Sequence, residues 1–135
     1  MGAWAEDAFG NDTACDWAGD FSEKPSLDSV KSIIDCVADS EEYLGSDEAS
    51  ECLVACEIVA RLKGNWGEKS AYSEDVDKWI ESSSIEPSVE LVAAAEKAIS
   101  RILGDESELR ELWDEDGVNE KWHTEMNDLL ARVKS

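Results

Sequence analysis

Basic residues are scarce in this chain: 12 Lys and Arg stand against 33 Asp and Glu, and the formal net charge is −21 over 135 residues. A surface of that sign repels phosphate backbones and anionic lipid headgroups. Neither a nucleic acid nor a membrane surface is therefore expected as a partner. Two interpretations of the acidity stay open, since it either attracts a basic protein or serves only to keep the chain in solution.

The motifs that common chemistries require are also missing. The chain has no Walker loop, no Gly-x-Gly-x-x-Gly and no Gly-x-Ser-x-Gly nucleophile motif. Its one histidine, His123, follows Glu120 at the spacing used in di-iron bundles, but such a site needs a second Glu/His pair and two further glutamates. We predict that His123 is an exposed or half-buried surface residue, and we expect no metal and no cofactor.

Long apolar runs are absent too. No stretch approaches the ~20 apolar residues of a membrane span, and the first residues lack the basic and apolar regions of a signal peptide. These absences predict a cytoplasmic protein, whose cysteines stay reduced. The chain has four cysteines but no Cys-x-x-Cys, and Cys52 and Cys56 share one helix face. We predict buried free thiols there, with a metal edge or a disulfide as the less favoured alternatives.

Apolar residues recur at helical spacing along nearly the whole chain, and no segment alternates with period two for long enough to form a strand. With only two prolines and no low-complexity tract, the chain shows no linker. We predict an all-α fold, a single compact bundle over residues 1–135 with six to seven helices of unequal length. The predicted helices cover residues 12–21, 25–39, 47–63, 74–82, 87–103, 108–114 and 118–133.

Single residues mark several of these helix ends. Gly64 follows the third helix as a C-terminal stop, and Ser107 is placed to cap the sixth. The last helix is predicted to begin at Val118, which we assign to its buried face. Trp66 and Trp79 are predicted to bury against the bundle, the alternative being partly exposed binding anchors.

The first 17 residues are rich in aromatic side chains, although chain ends usually fray unless something holds them. Trp4, Phe9 and Trp17 each carry a ring that buries on the order of 150–250 Å² when it packs. We therefore predict that this N-terminal aromatic segment docks on the core.

Two interpretations of the polar residues in this segment compete. In the first, Asn11 or Asp12 caps the first helix, because Asn and Asp are preferred N-cap residues. In the second, Asn11, Asp12 and Asp16 form a small acidic site for a cation or for a lysine of a partner. Asp12 and Asp16 are four residues apart and share a helix face, so a site with two carboxylates is geometrically feasible. The cap is the favoured interpretation.

The order of residues at the start of the chain resembles that of a known family. The opening Met1-Gly2-Ala3-Trp4 is followed by Phe9, Asn11-Asp12, Ala14 and Asp16-Trp17. This pattern is similar to the bacterial family called domain of unknown function family 4259. The resemblance continues through the alanine-rich third helix to Ser107-Glu108-Leu109 and Leu112-Trp113-Asp114-Glu115. The chain differs at Ala5 and Asp7, where the family often has glycines.

The resemblance implies no substrate, cofactor or catalytic residue. Because the family commonly has alanine where this chain has Cys52 and Cys56, it supports a role for these thiols as small core residues. It also implies that the N-terminal cluster matters as a unit, and that cluster consists of Trp4, Phe9, Asn11, Asp12, Asp16 and Trp17.

The net charge and the missing catalytic motifs together suggest a non-enzymatic protein-binding module. Its acidic surface would steer it toward a basic protein, as an immunity protein or antitoxin is steered toward a cationic nuclease. The alternative hypothesis is a carboxylate-based metal-binding or enzymatic protein that uses Asn11, Asp12 and Asp16.

Overall fold

The computed structural model describes residues 6–135, and over that range the chain forms seven α-helices and no β-strand. The predicted all-α bundle is confirmed. The helices are α1 (Asp12–Glu23), α2 (Leu27–Ala38), α3 (Ser46–Leu62), α4 (Glu74–Ser82), α5 (Val89–Leu103), α6 (Glu108–Trp113) and α7 (Glu120–Lys134).

The helix α3 is the centre of the bundle, because it contacts each of the other six helices. Every residue from Cys52 to Arg61 is buried, whichever side of the helix it lies on. A helix that is apolar all round belongs inside a protein, and the run Leu-Val-Ala-Cys-Glu-Ile-Val-Ala is apolar on every side except at one glutamate. The outer helices instead bury one stripe each.

Side-chain caps set where several helices begin. The side chains of Asn11, Ser26, Ser88 and Asn119 each accept a hydrogen bond from a backbone N–H in the first turn of α1, α2, α5 and α7. The cap at Asn119 corrects one prediction. The last helix begins at residue 120 and not at 118, and Val118 precedes it with 72% of its surface exposed.

The predicted stop at Gly64 is confirmed by its backbone. Gly64 has φ +88°, a left-handed conformation that favours glycine. Its N–H donates to the carbonyl of Arg61, and the N–H of Asn65 donates to that of Ala60. These two bonds satisfy carbonyls that the end of α3 would otherwise leave open.

The cap predicted at Ser107 is wrong. Ser107 does precede α6, but its hydroxyl makes no capping hydrogen bond, and Oγ is buried without a partner. The residue is held by its backbone, since a single parallel bridge pairs it with Leu44. This bridge ties the loop between α2 and α3 to the loop between α5 and α6.

The two cysteines of α3 are free and fully buried, as predicted. Their sulfur atoms lie 4.0 Å apart. The hydrogen bond with Cys52 and burial raise the pKa of the Cys56 thiol well above its usual value. Cys56 therefore acts as a small packing residue, since the reactive form of cysteine is the thiolate, and the fully buried Cys52 packs beside it.

None of the helices formed by residues 6–135 is both long and apolar enough to cross a membrane.

Candidate functional site

Residues 6–10, which we name the strap, precede α1 and pack on the bundle. Ala8, Phe9 and Gly10 are buried, and Phe9 keeps only 2% of its surface exposed. Trp17 is half-buried against the same core. Docking of the aromatic segment is thus confirmed for these rings, whereas Trp4 lies outside the described residues.

The ring of Phe9 rests on a buried guanidinium. The Cζ atom of Arg61 lies 5.3 Å from the centroid of the Phe9 ring and 5.5 Å from that of Trp66. The Arg61 side chain is 1% exposed, so this arginine is enclosed between two aromatic rings. Contacts of this kind are worth roughly 2 kcal/mol when the cation is desolvated.

Two carboxylates neutralise Arg61 below the strap. Its Nε lies 3.3 Å from Glu57 Oε1 on the preceding turn of α3, and its Nη1 donates to Asp77 Oδ1 of α4. Asp77 also accepts from Ser73 Oγ at 2.7 Å. The remaining nitrogen of Arg61 donates to the carbonyl of Glu68 at 2.9 Å. Every charged group here is paired and hydrogen-bonded, as burial of charge requires.

A second arginine extends the network to the last helix. Nη1 and Nη2 of Arg132, on α7, each donate to a carboxylate oxygen of Glu57 at 2.9 Å. Nε of Arg132 lies 2.8 Å from Asp128 Oδ2. Burial would lower the pKa of Arg132, but the bonds to Glu57 and Asp128 outweigh burial and raise it. We call the four side chains Glu57, Arg61, Asp77 and Arg132 the buried ion network.

The buried ion network was not predicted from the sequence. In the sequence, Glu57 and Arg61 look like an ordinary i, i+4 pair on a helix. Asp77 and Arg132 lie on helices whose other residues follow an amphipathic pattern. One signal was available: Glu57 is the only charged residue in the ten-residue run from Cys52 to Arg61 other than Arg61 itself. A charge inside a helix that is apolar all round must find a buried partner.

The three residues of the predicted acidic site on α1 do not act together in the structure. The Oδ1 atom of Asn11 accepts from the N–H of Ala14 at 2.8 Å, so Asn11 is the N-cap of α1. Asp12 and Asp16 are exposed on the shared helix face. Among residues 6–135, no group of three or more His, Cys, Asp or Glu side chains is arranged to hold a metal ion.

Asp16 belongs to a wider acidic surface. A groove of about 560 Å³ runs beside α1 and reaches α4, and we name it the α1–α4 groove. None of its lining residues is basic. They are Cys15, Asp16, Gly19, Asp20, Ser22, Glu23 and Asp75.

Cys15 joins this groove to the strap. Its Sγ donates to the carbonyl of Phe9 at 3.3 Å. Burial raises the pKa of the Cys15 thiol, and the charges of Asp12, Asp16 and Asp7 raise it further. The thiolate is therefore disfavoured, which makes Cys15 a poor nucleophile.

A second acidic cleft, of about 290 Å³, is lined in part by Glu6 and Asp7 of the strap. We name it the strap cleft. Burial raises the pKa of Glu125 in this cleft, and the charges of Asp7, Asp128, Glu57 and Glu68 add to the rise. Its lining residues are Glu6, Asp7, Glu68, Ser70, Tyr72, Lys121 and Glu125.

His123 is half-buried and pairs with a carboxylate. Its Nε2 lies 2.8 Å from Asp114 Oδ2. Burial would raise the pKa of Asp114, but hydrogen bonds from the Asn119 N–H and His123, with the charge of Arg110, lower it overall. The pair links the start of α7 to the end of α6, and its role is therefore structural.

A comparison with protein-family models supports the resemblance that the order of residues at the start of the chain indicates. No curated protein and no solved structure matches the chain. One family model covers residues 2–125 of the 135, which includes the N-terminal cluster and all helices up to the middle of α7. The chain therefore belongs to the family described as domain of unknown function (DUF4259).

Proposed function

We propose that this protein is a non-enzymatic binding module whose acidic surface docks a basic partner protein. The proposal rests on one observation, the positions of the few basic side chains. Arg61 and Arg132 are taken up by the buried ion network. Arg101 donates to the carbonyls of Ser40, Glu42, Asp105 and Glu106 and so braces two loops.

Because these arginines serve the interior and the loops, they do little to balance the exposed carboxylates. Five of the lysines and Arg110 pair with acids at exposed positions. Exposed pairs of this kind contribute little binding energy of their own, so a partner's cations compete with them easily. The surface that a partner meets is thus strongly negative.

The α1–α4 groove is the part of this surface that fits a cationic segment best. It presents Asp16, Asp20 and Glu23 from one helix and Asp75 from another, with no lining base. A negative groove concentrates positive charge and speeds association with a basic protein. The occupant we propose is a Lys- or Arg-rich helix or loop of a partner, because its charges complement the groove.

The test is capture from a lysate of the source cell, at low salt and at about 0.5 M salt, followed by calorimetry with each purified basic protein that is retained. The groove variant is Asp16→Lys with Asp20→Lys. The control is Glu41→Lys with Glu115→Lys, which changes the net charge equally at exposed acids outside the groove.

We expect a basic protein that binds the parent chain and the control and loses affinity for the groove variant. If no basic protein is retained at either salt concentration, or if the groove variant binds as well as the control, the proposal is wrong.

The carboxylate alternative depends on Asp12 and Asp16, since the side-chain oxygen of Asn11 already serves as a cap. Metal analysis of the gently purified chain separates the two functions. Stoichiometric metal that is lost in Asp12→Asn with Asp16→Asn would favour the alternative over docking.

A further inference from the structure

We propose that the strap is a charge-controlled flap: apolar and cation–π contacts hold it over Arg61, and the carboxylates across the strap cleft push it away. Low salt would favour the open flap, while moderate salt would favour the closed one. This inference concerns a movement within the chain and holds with or without a partner protein.

The attractive side of the balance comes from three strap residues. Ala8, Phe9 and Gly10 are buried, and the Phe9 ring covers the Arg61 guanidinium at 5.3 Å. The thiol of Cys15 adds a bond to the Phe9 carbonyl. None of these contacts depends on the charge of a strap residue, so salt and acid change them little. Two other attractions do depend on one: the Phe9 N–H donates to Asp7 Oδ2 at 3.3 Å within the strap, and Lys121 Nζ lies 3.7 Å from Glu6.

The repulsive side comes from the same short segment. Glu6 and Asp7 line the strap cleft opposite Glu68 of the loop after α3 and Glu125 of α7. Lys121 is the one cation among the lining residues, and its Nζ lies 3.7 Å from Glu6 with 73% of the side chain exposed. One solvated ammonium facing four carboxylates leaves the cleft with net repulsion.

Acid acts in the same direction as salt. The groups that face Glu125 are Asp7 of the strap, Glu68 of the loop, Glu57 of α3, and Asp128 and Lys121 of its own helix. Burial raises the pKa of Glu125 and the charges of the neighbouring acids raise it further, and Asp7 is the one of these acids that moves away when the strap opens. The closed form therefore gains stability as the pH falls toward that raised pKa, and loses it as the pH rises through it.

Opening would uncover Phe9 and the Arg61 guanidinium beside Trp66. The fold would then present an apolar surface with a cation at its centre, at an end of the bundle that the strap otherwise seals. Because Glu57 and Asp77 neutralise Arg61, such a surface is aromatic and carries no net charge, unlike the acidic remainder of the molecule. The flap thus controls whether the protein offers an acidic face alone or also an aromatic one.

Amide hydrogen exchange of the full chain tests the flap, read by NMR at Phe9 and Gly10 with Ala98 of the buried α5 face as the reference for global unfolding. Glu125→Gln removes one repulsive charge from the cleft. Glu115→Gln removes one exposed charge that does not line it.

At low salt we expect Glu125→Gln to slow exchange at Phe9 and Gly10 about two- to fivefold, which is the range of a single exposed charge interaction. Added NaCl should bring the parent chain to the same rate. In every sample the strap amides should exchange much faster than Ala98, which exchanges only through global unfolding. The flap is refuted if the strap amides ignore salt, if Glu115→Gln acts like Glu125→Gln, or if the strap amides exchange only together with Ala98.

Discussion

Arg61 is the residue on which three parts of the fold converge. Its guanidinium contacts Glu57 of α3, Asp77 of α4 and the Phe9 ring of the strap. All of these side chains are buried. A network of this kind adds little net stability over a well-packed apolar cluster, but removal of one member leaves the others as uncompensated buried charge.

We expect Arg61→Met to lower the free energy of unfolding by about 3–5 kcal/mol, because Glu57 and Asp77 lose a partner they share. The control is Lys31→Met, which breaks an exposed i, i+4 pair with Asp35. That change should cost no more than ~0.5 kcal/mol. Urea unfolding with an unchanged m-value measures both. Equal losses in the two variants would mean that Glu57 and Asp77 do not need Arg61 to compensate their charges.

The ends of helices were the features most readily predicted from the sequence, where a local cap or stop defines them. The first helix was predicted to begin at residue 12, with Asn11 or Asp12 as its cap, and it begins at Asp12 with Asn11 as the cap. The error at Val118 arose because an apolar residue at helical spacing looks like a buried one, while the Asn119 side chain fixes the actual start. Local chemistry decided the boundary, and periodicity alone did not.

Asn11 separates the two interpretations of the α1 start. We expect Asn11→Ala to destabilise the chain by about 1 kcal/mol, since the N–H of Ala14 loses its acceptor. Asn11→Asp keeps an acceptor and should be nearly neutral. Asp16→Asn should cost nothing or stabilise slightly, because Asp16 is exposed among other acids. Thermal unfolding of the three variants checks this, and a large loss from Asp16→Asn would point to a structural role that its exposure does not show.

Substitution by alanine should have opposite effects on stability at Gly64 and at Gly19. Gly64→Ala should cost about 1 kcal/mol, because φ +88° is unfavourable for alanine. Gly19→Ala should stabilise by roughly 0.5–1 kcal/mol, because Gly19 lies inside α1 and an added Cβ meets nothing within 4 Å. Chemical denaturation of the pair tests the backbone argument, and a matching sign in both variants would contradict it.

The contacts of the buried ion network could not be predicted from the sequence. Glu57 and Arg132 are 75 residues apart, and only the packing of α7 on α3 brings them together. The strap cleft likewise combines residues 6 and 7 with residues 68 and 125. Periodicity indicates which face of a helix is buried, but it does not indicate which helices are neighbours, and these clusters depend on that.

At the scale of the whole molecule, an apolar central helix is surrounded by a shell of negative charge. Burial and nearby acids raise the pKa of Glu51 as they do that of Glu125. In both cases the folded chain holds the proton more tightly than the unfolded chain does. Stability from these groups is complete below their unfolded pKa and is lost as the pH rises through the folded one. At neutral pH these two carboxylates therefore work against the fold.

Moderate salt should raise the melting temperature, because ions screen the repulsion among carboxylates that folding brings together. A gain of 1 kcal/mol corresponds to roughly 3–5 °C for a chain of this length. NaCl is the appropriate salt, since sulfate also strengthens apolar burial. The double variant Glu51→Gln with Glu125→Gln should start from a higher melting temperature at low salt and gain less from NaCl than the parent. A melting temperature that stays flat or falls between low and moderate NaCl would show that the carboxylates are already balanced in the folded state.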